Sequence, residues 1–320
     1  MNPAMNTFSE PRFSNETAAR QWFEAARWPN GPICPHCGSE GYYTTKKEGR
    51  YRCAGKDCRK DFTVTTKSVM ESSHAPLTHW AQAFYLMNSS KKGFSAHQLH
   101  RALGCQYKTA WFMHHRIMEA MRQGGLDLPP MGGTGKIVEA DETYFGGVES
   151  RKMRTARTSG AKFTHKGRKH MGPANKRAIV TLVERGGKVR SFHVPRADKA
   201  TVKRIVADNI HHESRLHTDE SRLYTGAEMF FADHETVNHT AKEYARSDVH
   251  VNSAEGFFGV FKRGMRGVYQ HCSEKHLHRY LAEFDFRYNR RTALGWNDDQ
   301  RTLDAVHGAV GKRLTYKKPH

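Results

Sequence analysis

Two groups of residues in this chain have the types and spacing for chemistry. The first is sulfur. Cys34 and Cys37 form a Cys-x2-Cys pair, and 15 residues later Cys53 and Cys58 form a Cys-x4-Cys pair. Each pair can offer two thiolates to one tetrahedral ion if a short hairpin folds the pairs together. Tyr42–Thr45 and Arg50–Arg52 have strand composition, with Glu48-Gly49 at the turn, and supply that hairpin. Structural Zn²⁺, one per chain, is the expected occupant, because four thiolates leave no open coordination position for a reaction. Disulfides are the other use of such pairs and need an oxidising compartment. Cys105 and Cys272 stand apart and read as ordinary small side chains.

The second group is acidic. Asp141 closes a strand over Lys136–Asp141, Asp219 closes a strand over Arg215–Asp219, and Glu255 lies in the first turn of a helix capped by Ser253. Each has a plain use: opening a turn, capping a helix, answering a helix dipole. The chain holds 32 carboxylate side chains, so many such triples exist, and the order of elements carries more weight. After the first strand come Arg177–Glu184 and Lys188–Val194, joined at Arg185-Gly186-Gly187, then a helix over Asp198–Ile210. The Arg215–Asp219 strand follows, then a turn or helix at Ser221–Ala227, a strand at Glu235–His239 and the Glu255 helix. In a sheet of this order the first and fourth strands are neighbours, and the three acids converge. Converging carboxylates repel unless they share cations, so two Mg²⁺ or Mn²⁺ ions are expected, about 4 Å apart, a set suited to in-line phosphoryl transfer. Glu142 and Glu220, one residue along, are expected to point elsewhere, with a supporting place beside the metal ligands left open for Glu142.

The remaining elements must carry and deliver this site. Residues 14–27 predict a helix capped by Ser14, with Trp22, Phe23 and Ala26 on its apolar face. Leu77–Asn88, Ser95–Leu103 and Tyr107–Arg122 predict three helices, and the Leu103-Gly104-Cys105 turn gives them the outline of a helix-turn-helix. Lys108, His114, His115 and Arg116 would then face a DNA groove; a plain helical spacer is the alternative. A Gly- and Pro-rich linker follows. Residues 151–177 contain ten Lys or Arg and no Asp or Glu, and read as a basic loop lying along DNA or as a solvated loop without a partner. The domain plan is a helical arm (1–30), zinc ribbon (31–70), helix-turn-helix-like domain (71–125), linker (126–135), catalytic domain (136–295) and C-terminal tail (296–320).

Composition agrees with a polyanionic partner. Lys and Arg total 52 against 32 Asp and Glu, a net charge of +20 with pI near 9.8. No apolar run is long enough to span a membrane, and the first 30 residues lack the apolar stretch of a signal peptide, so a cytoplasmic address is expected.

Taken together, CPHCG at 34–38, KKGFSAHQLHRALG at 91–104, TAWFMHHRI at 109–117, ADETYFGG at 140–147 and HTDESRLY at 217–224 resemble one family, as do HVNSAEGFFGVFKRGMRGVY at 250–269 and HLHRYLAEFDFRYNRR at 276–291. They are similar to bacterial insertion-sequence transposases of the zinc-ribbon, ISXO-like kind. That resemblance implies a multidomain α+β chain whose catalytic domain is RNase H-like with a mixed five-stranded sheet. It implies Asp141, Asp219 and Glu255 as the catalytic triad and the ligands of Mg²⁺ or Mn²⁺. The activity implied is binding of terminal inverted repeats, cleavage to expose a 3′-OH and joining to target DNA, by a homodimer or higher oligomer on paired ends at the bacterial nucleoid. Arg151, Lys152, Arg154, Lys166, Arg168 and Lys169 of the basic loop, with Arg263 and Arg266, would grip backbone phosphates. His250, Asn252 and Lys262 could assist at the scissile strand, and a cap or surface role fits them equally well. Two other functions use parts of the same pattern: a zinc-ribbon DNA-binding regulator that needs no acids, and an RNase H-like structure-specific nuclease. Inverted repeats flanking the reading frame favour the transposase.

Overall fold

A computed structural model of the chain describes residues 7–122, 128–147, 176–237, 246, 248–270 and 272–314. The chain forms two compact units, residues 1–123 with 290–320, and residues 124–289. Among the described residues no helix is long and apolar enough to cross a membrane.

In the first unit, α1 (Glu16–Arg27) starts one residue later than expected, with Asn15 accepting the Ala18 N–H. It buries Ala19 and Phe23. Its Glu16 accepts the N–H groups of Leu77 and Thr78 at 2.8 and 3.1 Å, and so caps α2 (Leu77–Ser89), which has no side-chain cap of its own. Three antiparallel strands, β1 (Tyr42–Thr44), β2 (Tyr51–Cys53) and β3 (Asp61–Phe62), form the ribbon. The two-residue β3 is too short to announce itself in composition. Trp28 packs edge-on against Tyr51 and Phe62 beneath the sheet. α3 (Ala96–Leu103) carries the capping box of Ser95 and Gln98 and ends at left-handed Gly104 (φ 62°), where a side chain would be strained. α4 (Tyr107–Met121) follows.

The expected tail at 296–320 contains ordered structure in its described part, residues 296–314. Asn297 and Gln300 make a capping box that opens a further helix over Asp298–His307, and this helix packs against α1, α2 and α4. Arg301 donates to the Asn88 carbonyl at 2.7 Å, and Gly308 lies so close to the Ala120 carbonyl that a Cβ would collide with it. The chain therefore leaves the second unit at Asn289, ahead of the expected boundary at 295.

The second unit is a five-stranded mixed sheet, as expected. Its strands are β4 (Ile137–Gly147), β5 (Lys176–Glu184), β6 (Val189–Val194), β7 (Arg215–Asp219) and β8 (Asp233–Val237), in the spatial order β6-β5-β4-β7-β8. β4 runs antiparallel to β5 and parallel to β7, and β7 parallel to β8. β8 begins two residues before the expected strand, whose last residues, 238 and 239, lie outside the described residues. On one face α5 (Lys199–Asn209), capped by Asp198, buries Val202, Ile205 and Val206 against Val138, Ala140, Val180, Leu182 and Leu216. On the other lie α6 (Asn252–Gly264) and α7 (Leu277–Tyr288), where Phe261 meets Phe145 and Phe284. The C-terminal helix of the first unit is α8 (Asp298–His307).

Deleting residues 296–320 should lower the melting temperature of the zinc-loaded protein by more than about 5 °C, since it strips α8 from three helices. A free tail would leave the transition unchanged.

Candidate active site

Asp141 does not end its strand. β4 continues to Gly147 against β5; the strand that stops is β7, whose last pair with β4 joins Ala140 to Thr218, with Asp219 as its final residue. The parallel pair thus opens into a crevice at its carboxyl end, the usual place for a site in such sheets. One carboxylate oxygen from each of Asp141, Glu142 and Asp219 lies within 4.8 Å of the others.

Glu142 does not point away as alternation alone predicts; it joins the cluster, the alternative left open for it. Its neighbours Ala140 and Tyr144 face the α5 side, and so does the root of its side chain. On that side the Ser221 hydroxyl and the Tyr224 phenol donate to its two oxygens, both at 3.1 Å, and hold the carboxylate at the crevice. The Ser221 N–H donates to Asp219 at 3.0 Å and the Glu142 N–H to Asp141 at 2.7 Å, so the three acids share a frame of short local bonds. The spacing of Ser221 and Tyr224 just beyond Asp219 was the available sign. Glu220 is exposed and outside the cluster.

Burial, then the charges of Asp219 and Glu142, push the Asp141 carboxyl up to about 8. Burial also raises Glu142, followed by Asp219. Glu255 sits in the first turn of α6 as expected, but it is exposed and not among the converging oxygens. Its charge still contributes to raising Asp141. Lys262, seven residues on and so on the same helix face, is half-buried. Burial lowers its pKa, Arg266 adds to this, and Asp141 opposes it, which puts the ammonium within electrostatic reach of the crevice. Arg263 and Arg266 are exposed. His250 turns to Arg185, 3.1 Å from its ring, and Asn252 is exposed. Ser253 does not cap α6; its hydroxyl donates to Glu139.

The four cysteines meet. All four sulfurs lie within 4.8 Å of one another, with Cys34···Cys58 at 3.8 Å and Cys37···Cys53 at 3.5 Å. A Zn–S distance of about 2.3 Å gives tetrahedral edges of roughly 3.8 Å, so the cage fits zinc.

The expected groove contacts on α4 are overturned. His114, His115 and Arg116 are 2%, 6% and 6% exposed. Arg116 donates to the Glu71 carbonyl at 2.9 Å and lies 4.1 Å over the Phe112 ring, so its charge is spent inside the unit. Lys108 is exposed on the first turn. On α3, His97 and Arg101 share an exposed face, Lys91 and Lys92 precede it, and the His97 ring stacks on Tyr107 at 4.3 Å. Residues 72–118 contain no Asp or Glu, the composition signal that marks this face. Arg151, Lys152, Arg154, Lys166, Arg168 and Lys169 lie outside the described residues.

Against known proteins, residues 132–289 match the ISXO2-like transposase domain and residues 14–61 the transposase zinc-ribbon domain. A protein of the transposable element ISH50 from Halobacterium salinarum is 31% identical over 287 residues, covering 86% of this chain and 91% of that one. The chain belongs to the ISXO2-like transposases. A transposase-like protein of Haemophilus influenzae is 26% identical over 102 residues, 32% of this chain and 81% of that one. In this ISXO2-like transposase the zinc-ribbon match begins at residue 14, so α1 belongs with the ribbon and not to a separate arm.

The raised Asp141 has a consequence for stability. Its carboxyl titrates near 8 in the fold, against roughly 3.9 in an unfolded chain. The folded state keeps a proton that the unfolded state releases, so without divalent ions stability falls as pH rises from about 4 to about 8. Asp141→Asn should therefore melt higher than wild type at about pH 8.5 in zinc-loaded protein free of Mg²⁺. The two should converge near pH 4, and Mg²⁺ should narrow the gap at high pH. A wild type more stable than the variant at pH 8.5 without Mg²⁺ would refute the crowding of charge.

Proposed function

We propose that this transposase binds the ends of its own insertion sequence, hydrolyses a phosphodiester there to expose a 3′-OH, and joins that end to target DNA. The observation that carries this reading is the convergence of Asp141 and Asp219 where the parallel pair of β4 and β7 ends. Hard carboxylate oxygens, crowded enough to hold a proton on Asp141, suit Mg²⁺ or Mn²⁺. When bound, such ions supply charge stabilisation for the attacking and leaving oxygens of an in-line displacement. Asp141 and Asp219 are the primary ligands. Glu142, tethered by Ser221 and Tyr224, completes the wall of the site from the α5 side. Glu255 closes it from α6, and Lys262 on the same face offers an ammonium to the phosphate of the strand being cut. The zinc cage holds the ribbon folded and takes no part in the reaction.

End recognition falls to the first unit. The exposed basic face of α3, continued by Tyr107 and Lys108 at the start of α4, meets duplex DNA in place of the buried middle of α4. The basic segment at 151–175 adds phosphate contacts, Lys176 and Arg177 being the start of β5 with Arg177 buried on the Cys272 carbonyl, and the protein works as a dimer or larger assembly on paired ends.

Asp141→Asn and Asp219→Asn should each lower cleavage in Mg²⁺ a thousandfold or more, about 4 kcal/mol in barrier. Glu255→Gln and Glu142→Gln should also lose cleavage, while Glu220→Gln keeps it. All variants should bind end DNA as wild type does. Full activity in every acid variant would leave a DNA-binding regulator as the better account. Replacing Arg101 and Lys108 together by Ala should weaken binding and flatten its salt dependence by roughly two contacts at about −0.9 each. An unchanged slope would remove α3 from the interface.

A further inference from the structure

Asp141 and Glu255 come from different elements, and one buried carboxylate ties those elements together. Glu139 lies on β4 two residues before Asp141, on the same sheet face, and is fully buried. It accepts the Ser253 N–H at 2.7 Å, the Ala254 N–H at 3.1 Å and the Ser253 hydroxyl at 3.0 Å. Arg185, from the turn after β5, donates to it through Nε and Nη2 at 3.0 and 2.9 Å. The same guanidinium donates to the carbonyls of Asp248 and His250 at 2.7 and 3.1 Å, holding the segment that leads into α6.

α6 needs this partner. Its N-cap is Val251, which offers no side-chain acceptor, so the free N–H groups of the first turn have no local cap. Glu139 supplies the missing acceptor from the neighbouring strand and places a carboxylate at the positive end of the helix dipole. Glu255 rides on that same turn, one residue beyond the last amide Glu139 binds. A buried ion pair is a weak device for stability alone, because apolar side chains of similar volume often serve as well.

We infer that Glu139, with Arg185 as its counter-charge, is a positioning residue that sets where α6 begins and so where Glu255 stands against Asp141. The inference rests on Glu255 closing the site, as proposed above. Glu139 itself touches neither DNA nor reacting atoms in this account.

The test uses full-length, zinc-loaded protein and two readouts: the Mn²⁺ dissociation constant measured by electron paramagnetic resonance without DNA, and the Mn²⁺ concentration for half-maximal end cleavage. Glu139→Gln should raise both about tenfold while end binding is unchanged. Arg185→Lys keeps the charge but loses the fork that grips residues 248–250, and should shift both in the same direction by less; it serves if the Gln variant does not fold. Glu283→Gln is the control. Glu283 is equally buried, accepts the Tyr269 hydroxyl and pairs with Arg287 on α7, away from the start of α6. It should lower the melting temperature and leave both Mn²⁺ values in place. If Glu139→Gln and Arg185→Lys also move only the melting temperature, the positioning role is wrong. If wild type shows no metal-dependent cleavage, the reading of the site fails first and this inference falls with it.

Discussion

Three carboxylates crowd one crevice of the second unit, and their mutual repulsion is the constraint around which that unit is arranged. Burial makes the Asp141 carboxyl hard to ionise, and the charges of Asp219 and Glu142 add to this, which is why Asp141 is pushed up to about 8. The fold tolerates this because the acids are held by short bonds to rigid elements. Asp141 and Glu142 lie within a strand paired on both sides up to Ala140, Asp219 takes the Ser221 N–H, and Glu142 takes two hydroxyls. The acids are therefore held close together at a cost in stability, one that the cation proposed for this site would relieve. The parallel pairing of β4 with β7 follows from the crossover through the β5–β6 hairpin and α5, which brings the fourth strand of this unit back beside the first.

Much of this was legible in the residues. The strand order, the helix over Asp198–Ile210, the Arg185-Gly186-Gly187 turn and the helix opening at Ser95 all stand where the residues place them. Asp219 ends its strand as expected, and the four cysteines close a cage because their spacing leaves room for a hairpin between two knuckles.

The misses share a physical cause: local pattern does not report what packs on top. α4 has helical spacing and basic residues, but its middle turns into the unit, where Arg116 meets the Glu71 carbonyl and the Phe112 ring, and His114, His115 and Arg116 are buried. Alternation along β4 correctly puts Glu142 on the far face, yet a carboxylate two carbons from its backbone reaches around when hydroxyls are waiting for it. Ser253 looks like a cap by sequence. The acceptor that caps α6 is Glu139, 114 residues away, and no local rule could find it. Glu255 stands where the helix puts it, in the first turn, but at the rim of the cluster and not among its converging oxygens.

The most direct test of the account is strand joining. A labelled fragment carrying one end of the protein's own element is incubated with the protein, Mg²⁺ and a supercoiled target plasmid, and the plasmid is examined for covalently attached label. The account predicts labelled 3′ ends joined to plasmid, dependent on Mg²⁺ and absent when Asp219 is replaced by Asn. Specific binding of the end without any cleaved or joined product, under conditions where zinc is bound and the protein is folded, would contradict it.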